Sequence, residues 1–214
     1  MLILFSMLIS LLYRTMAMNF VLLRHGRSSW NKLNKFTGWH DVPLCDIGIK
    51  EANQAGQLIQ KLNIDFDYAF SSNLTRTSHT LSYIHKYVPI KQMIYNNAIL
   101  ERDYGDLTGK NKEQILDEYG SIKLHKWRRG YYDKPPNGES LDDVIKRSGH
   151  YFDNEICPLI NDNKNVLVVS HGNTIRALFV HWGIYDPLNI ELCEIPTGRP
   201  FLIDIKKKKF ELLF

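Results

Sequence analysis

Two short segments place a histidine and a glycine directly after an apolar run. Arg24-His25-Gly26 follows residues 19–23, and His171-Gly172 follows residues 165–170. A neutral imidazole is a nucleophile toward phosphorus, and glycine lets the backbone approach a ligand closely. If the two runs are strands of one parallel sheet, both histidines lie at the edge where such sheets bind ligands. The pattern favours an anion site with the geometry of a phosphate site, although a single histidine in this position is often only structural.

Strand and helix patterns alternate along the chain and predict the elements that position these histidines. Strands are expected over residues 19–23, 67–72 and 165–170, with a last edge strand over 201–205. Helices are expected over residues 49–62 (with Asp46 as N-cap), 74–87, 140–156 (opened by a capping box and limited by Pro158) and 174–182. This order predicts an α/β fold in three layers, with a mostly parallel central sheet flanked by helices. The helix after Gly172 would offer its N-terminal amides to an anion.

Residues 95–138 interrupt this alternation. They are polar, aromatic and basic, with one modest helix over 112–119, and they predict an inserted lid or substrate loop region. Lysines 206–209 are expected to form a solvated tail.

The chain begins with an apolar extension, residues 1–18, ahead of a single catalytic domain over residues 19–214. Its apolar run, residues 2–13, is too short to span a bilayer and lacks the basic start and cleavage site of a signal peptide. Three interpretations stay open: a mis-assigned start, with Met16 or Met18 as the true one, or a dispensable extension; a targeting or anchoring segment; and an extra packed element.

Composition excludes several classes of protein. The 214 residues include 44% hydrophobic and 23% charged residues, which is typical of a globular domain and not of collagen, coiled coils or disordered chains. The net charge of 27 − 23 = +4 is too mild to indicate a nucleic-acid binder. Cys45, Cys157 and Cys193 have neither disulfide-framework nor zinc spacing, so a reducing, cytoplasmic setting is expected.

An ordered set of motifs resembles the histidine phosphatase superfamily and, within it, the cofactor-dependent phosphoglycerate mutases. The motifs are Arg24-His25-Gly26 with Ser28, Trp30 and Asn31; Thr37-Gly38-Trp39 with Asp41 and Pro43-Leu44; Glu101-Arg102-Asp103-Tyr104-Gly105; Asn111-Lys112; Trp127-Arg128-Arg129; Pro135-Pro136-Asn137-Gly138-Glu139-Ser140; and His171-Gly172-Asn173. The match covers about residues 19–205. Arg27, Ser29, Asp103 and the short C-terminal tail depart from the family pattern.

The resemblance implies a phosphoglycerate mutase-like fold and a role for each matching residue. His25 is the expected phosphohistidine, Glu101 the general acid and base, and Arg24, Arg76 and His171 the cradle for the phosphoryl group. Expected substrate contacts are Asn31, Thr37, Gly38, Tyr104, Lys112, Arg128, Arg129, Gly172 and Asn173, the last two also offering backbone amides to the phosphoryl group.

The implied reaction interconverts 3-phosphoglycerate and 2-phosphoglycerate in glycolysis and gluconeogenesis, with 2,3-bisphosphoglycerate as the primer and no metal. A small-molecule substrate, no nucleic acid and no membrane attachment are expected, and family members are often homodimers or homotetramers. The enzyme alternative is a histidine phosphatase acting on small phosphomonoesters, with or without membrane attachment through the apolar N-terminus. A catalytically silent binding protein is disfavoured because the set His25, Arg24, Arg76, Glu101 and His171 is complete.

Overall fold

The structure, a computed structural model, describes residues 20–214, so the apolar extension expected over residues 1–18 lies outside the described residues. The strands are β1 (Phe20–Arg24), β2 (Phe66–Ser71), β3 (Ile90–Tyr95), β4 (Val166–Ser170), β5 (Pro200–Asp204) and β6 (Lys209–Leu212). The helices are α1 (Ser29–Lys32), α2 (Asp46–Gln60), α3 (Thr75–His85), α4 (Lys112–Arg129), α5 (Leu141–Tyr151), α6 (Cys157–Asn161) and α7 (Gly172–His181). A π-helical turn, Phe152–Ile156, joins α5 to α6.

The described strands form one sheet in the order β3-β2-β4-β1-β5-β6. The first four strands in that order run parallel, and β5 and β6 pair antiparallel. The mostly parallel sheet that the alternation of strands and helices predicted is therefore confirmed.

The side chains of β1 alternate between two apolar clusters on opposite faces of the sheet. Phe20 and Leu22 pack in the cluster that includes residues of α5 and α7, whereas Val21 and Leu23 pack in the cluster that includes residues of α2 and α3. Each fully buried side chain of this kind contributes about 1.5–3 kcal/mol of transfer free energy. Helices on both faces complete the predicted three-layer αβα architecture, and they hold the ends of the central strands in place.

Two helix boundaries differ from the prediction. Asp46 is the first residue of α2 and Cys45 is its N-cap, so the prediction of Asp46 as N-cap was wrong. A carboxylate in the first turn still interacts favourably with the helix dipole. Pro158 does not end the helical segment that begins at Leu141, because it lies in the first turn of α6, where its missing N–H is not required.

The C-terminal region also differs from the prediction. β5 is not an edge strand, since it pairs with β1 on one side and with β6 on the other. Residues 205–208 form the turn of this hairpin, with Lys208 at φ 53°, and Lys209 begins β6, so the exposed lysines belong to a hairpin and not to a tail.

Within residues 95–138, helical structure extends beyond the predicted 112–119. α4 continues to Arg129 past a break at Gly120, whose φ of 80° lies in the left-handed region that favours glycine. A third apolar cluster anchors this region: Phe36, Tyr104, Leu107, Ile115, Leu124 and Trp127. The packing fixes the last turn of α4, which carries Arg128 and Arg129. Between Phe20 and Phe214, no helix has the length and apolarity needed to cross a bilayer.

Candidate active site

The register of β1 against β4 brings the two histidines together. Arg24 pairs with Ser170 at the carboxyl ends of the two strands, and His25 and His171 each follow one residue later. The His25 amide donates to the Ser170 carbonyl at 3.0 Å. The imidazole ring centroids are 5.1 Å apart, so the prediction that the two histidines are neighbours is confirmed.

The local backbone determines which nitrogen of His25 can react. Nδ1 lies 2.6 Å from the Gly26 carbonyl oxygen, and because a carbonyl only accepts, Nδ1 carries the proton. Nε2 therefore keeps the lone pair of the neutral ring. Gly26 packs tightly against α2, since a Cβ atom there would stand 2.2 Å from the Gly48 carbonyl oxygen.

Burial and neighbouring cations keep His25 neutral. The side chain is 2% exposed. Desolvation holds its pKa well below the usual range, and Arg76 and Arg24 lower this pKa further. The lone pair on Nε2 is therefore free at neutral pH, which a nucleophile requires.

His171 is held by a hydroxyl pair. Its Nε2 lies 2.9 Å from Ser72 Oγ, which in turn lies 2.7 Å from Thr77 Oγ1. Its Nδ1 is buried and has no hydrogen-bond partner among residues 20–214. Burial, followed by the charge of Arg76, holds the pKa of His171 well below its usual range. Nδ1 is thus the nitrogen that remains to contact a bound group.

Two arginines flank the histidines. Arg76, in the first turn of α3, donates to the carbonyls of Gly38 at 2.8 Å and His40 at 2.9 Å, and Arg24 donates to the Ile195 carbonyl at 3.0 Å. Burial lowers the pKa of Arg76 to about 10, so it is still a cation at pH 7. In both arginines Nε is buried without a hydrogen-bond partner in the described part of the chain. These N–H groups are suited to the oxygens of a phosphoryl group.

Glu101 is 8% exposed and is tied to the start of α7. Its Oε1 accepts from the Asn173 amide at 3.0 Å and from the Arg102 amide at 2.9 Å. The expectation that the Asn173 amide faces the phosphoryl group therefore differs from the structure, in which this amide orients Glu101. The Asn173 side chain donates to the Tyr104 hydroxyl at 3.0 Å.

A pocket with about 520 Å³ of empty space, partly open to solvent, lies beside this cluster. Its lining comprises Arg24, Asn31, Lys35, Phe36, Thr37, Gly38, Glu101, Tyr104, Lys112, Arg128, Arg129, Gly172, Asn173 and Arg176. All nine predicted substrate contacts are in this set, together with Arg24 and Glu101. The other predicted catalytic residues, His25, Arg76 and His171, are buried and do not line it.

Lys35, Phe36 and Arg176 line the pocket and were missed from the sequence. Arg176 lies one helical turn after Gly172 and therefore shares its face of α7, a spacing that could have revealed it. Lys35 immediately precedes Phe36 and Thr37, and its amino group lies 5.5 Å from the ring centroid of Trp30.

The pocket is strongly cationic, with six basic residues and one acidic residue in its lining. Burial, and then the charges of Arg128 and Arg24, lower the pKa of Lys112 to about 8. Arg129 donates to the Glu194 carboxylate at 2.7 Å. An anion bound here would relieve the repulsion among these cations.

The described residues offer little for metal binding. No group of three or more His, Cys, Asp or Glu side chains within residues 20–214 is arranged to hold a metal ion. The three cysteines are free thiols.

Comparison with known proteins identifies the family. The model of the histidine phosphatase superfamily (branch 1) matches residues 20–214. The chain belongs to this superfamily. The 2,3-bisphosphoglycerate-dependent phosphoglycerate mutase of Cytophaga hutchinsonii is 43% identical over 192 residues, which is 88% of this chain and 88% of the relative. The mutase of the same name from Chlamydia muridarum is 37% identical over an alignment of 216 residues, which covers 89% of this chain and 95% of the relative.

Solved structures share the fold of this chain. A mycobacterial glucosyl-3-phosphoglycerate phosphatase has a TM-score of 0.72 and 22% identity, and the match covers 90% of this chain and 96% of that one. The superfamily that the motifs indicated is therefore confirmed, and so is the fold. This identity is low enough that the likeness extends to the fold alone.

Two positions that depart from the family pattern make local contacts, Arg27 through its backbone and Asp103 through its side chain. The Arg27 amide donates to Glu51 of α2 at 2.7 Å. Asp103 accepts from the Gly105 amide at 2.9 Å and so shapes the turn after Glu101. Neither side chain lines the pocket.

Proposed function

We propose that this protein interconverts 3-phosphoglycerate and 2-phosphoglycerate through a phosphorylated His25, primed by 2,3-bisphosphoglycerate, as a cytoplasmic enzyme of glycolysis and gluconeogenesis. The observation that carries the proposal is the position of the cationic pocket beside a neutral, buried histidine pair. A simple phosphomonoesterase needs the histidines and their arginines, whereas the further cations Lys112, Arg128 and Arg129 suit a substrate with a second anionic group. Relatives about 40% identical that bear the mutase name support the same activity.

His25 carries the phosphoryl group. Its Nε2 forms a bond to phosphorus as the bond from phosphorus to the leaving oxygen breaks, and Glu101 gives a proton to that oxygen. In the mutase cycle phospho-His25 gives its phosphoryl group to the free hydroxyl of 3-phosphoglycerate, whose proton Glu101 takes. The bound 2,3-bisphosphoglycerate then reorients and returns its other phosphoryl group to His25, and Glu101 gives the proton back to the leaving oxygen. Proton transfer of this kind typically accelerates a reaction by about 10²- to 10⁴-fold.

The cradle around His25 stabilises the charge that spreads over the phosphoryl oxygens in transit. Arg24 and Arg76 bring fixed guanidinium groups, with unpaired buried Nε donors, to the same sheet edge. His171 Nδ1, held in place through Ser72, faces the same group. Because these groups are already desolvated and oriented, little reorganisation accompanies transfer.

The pocket fits a bisphosphate. With six basic residues and one carboxylate, its lining carries a formal charge of 6 − 1 = +5. Two phosphate groups of about −2 each and one carboxylate bring a charge of opposite sign and similar size, although Glu194 already offsets part of the lining charge at Arg129. When bound, 2,3-bisphosphoglycerate supplies the phosphoryl group that loads His25. The segment 95–138, which carries Glu101, Tyr104, Lys112, Arg128 and Arg129, would keep water out of the site while the bound 2,3-bisphosphoglycerate reorients.

A phosphatase acting on small phosphomonoesters is the second candidate, because structural neighbours of the same fold bear phosphatase names. The deciding experiment follows conversion of 3-phosphoglycerate to 2-phosphoglycerate, coupled to enolase, with and without trace 2,3-bisphosphoglycerate, while free phosphate is measured. The mutase proposal predicts isomerisation that rises with the bisphosphate and little phosphate release. Phosphate release without isomerisation would contradict it and identify a phosphatase. If neither isomerisation nor phosphate release is detected, both candidate functions are contradicted.

A further inference from the structure

An ion pair outside the pocket holds the segment that carries Glu101. Arg147 of α5 pairs with Glu139, which lies just before α5 in the sequence. The guanidinium grips both carboxylate oxygens, with Nε to Oε1 and Nη2 to Oε2 each at 2.8 Å. The side chains are only 21% and 17% exposed, so solvent screens the pair weakly.

The other N–H groups of Arg147 all donate to the backbone around Glu101. Nη1 donates to the carbonyls of Ala98 and Leu100, each at 2.9 Å, and Nη2 donates to the carbonyl of Glu101 at 2.8 Å. With the two bonds to Glu139, all five donors of the guanidinium are used.

Glu139 also binds the backbone on the C-terminal side of Glu101. Its Oε2 accepts from the Asp103 amide at 2.9 Å. Residues 100–104 lie outside every helix and strand, so no regular backbone ladder fixes them. The ion pair therefore supplies bonds to residues on both sides of Glu101.

We propose that Arg147 and Glu139 are positioning residues whose role in catalysis is to aim the proton-transfer carboxylate of Glu101. This inference rests on the proposed function, in which Glu101 protonates the leaving oxygen. Lysine cannot replace Arg147, because an ammonium has three donors and lacks the planar fork that reaches Glu139 and three carbonyls together.

The test compares two phosphoryl donors that differ in their need for a proton. With 2,3-bisphosphoglycerate, the Nε2–P bond forms at His25, the P–O bond breaks and the leaving alkoxide takes the proton of Glu101. With acetyl phosphate, the same bonds form and break, but acetate leaves as a stable anion that needs no proton. Loading of His25 from each donor is followed by rapid quench and intact mass in the wild type, R147K, E139Q and E101Q.

The proposal predicts that R147K and E139Q slow loading from the bisphosphate at least about tenfold and change loading from acetyl phosphate less than about threefold. A merely structural role would slow loading from both donors equally, and this result, or no slowing at all, would overturn the proposal. K146Q is the matched control: Lys146 is the neighbouring residue of α5, and its ion pair with Asp142, at 2.8 Å, is exposed on the lysine side. It should leave both rates unchanged.

E101Q separates the failure of this inference from the failure of the proposed function. If E101Q slows bisphosphate loading selectively and the two positioning variants do not, Glu101 transfers the proton but the ion pair does not position it. If E101Q shows no selectivity, the role of Glu101 fails, and the inference fails with it. Thermal unfolding of each variant identifies any that does not fold, in which case the other member of the pair decides the result.

Discussion

The pH dependence of substrate capture tests whether Lys112 is one of the cations that hold the ligand. Because burial and neighbouring cations lower the pKa of Lys112 to about 8, its charge is lost as the pH rises through that value. At pH 7 it is about nine-tenths protonated, and at pH 9 about one-tenth. The phosphate of the substrate has its second pKa near 6, so its charge changes little over this range. If the ligand binds only the charged form, kcat/KM falls about tenfold between pH 7 and pH 9.

The assay measures kcat/KM for 3-phosphoglycerate from pH 7 to pH 9.5 at constant ionic strength. K112R keeps its positive charge throughout, so its profile should lack the falling limb near pH 8. K112M has no charge to lose, so its profile should be flat and about tenfold or more below the wild type at pH 7. A K112R profile with the same falling limb, or a wild-type profile without one, would show that the charge of Lys112 does not hold the ligand.

Three further perturbations test the surroundings of the histidines. R76M removes a charge that lowers the pKa of His25, so an NMR titration of the His25 ring should find this pKa raised relative to the wild type; an unchanged pKa would count against the coupling. S72A removes the hydroxyl that holds His171, and it should slow loading at every pH; a wild-type rate would show that this bond is dispensable. G48A places a Cβ atom 2.0 Å from the Arg27 carbonyl oxygen and should lower the free energy of unfolding in urea by about 1–3 kcal/mol. Q54A, at an exposed position of the same helix, should lower it by at most about 0.5 kcal/mol, and equal effects of the two variants would contradict the close packing of α2 on the loop.

The histidine pair could be predicted from sequence because its elements are fixed by local pattern. β1 and β4 are short apolar runs buried on both faces, and each is followed at once by its histidine. Parallel pairing then leaves few ways to arrange the two strands. The register that aligns Arg24 with Ser170 places the two histidines side by side, as predicted.

Other features depend on contacts between distant segments, and local pattern does not reveal them. β3 is an edge strand with a half-exposed sequence, so its residues lack the apolar run of a buried strand. The second half of α4 is mostly polar, and it is held by Leu124 and Trp127 in a cluster with residues far away in the sequence. The Asn173 amide donates to Glu101 because a loop 72 residues earlier in the chain brings this carboxylate to the start of α7.

Trapping the phosphorylated enzyme tests directly whether His25 carries the phosphoryl group. The protein is mixed with 2,3-bisphosphoglycerate labelled in its phosphoryl groups, quenched in alkali, in which phosphohistidine is stable, and digested for mass spectrometry. The account predicts one labelled phosphoryl group per chain on His25, its transfer to unlabelled 3-phosphoglycerate on a chase, and no label in H25N. Label on another residue, or label that leaves only as free phosphate during the chase, would contradict it.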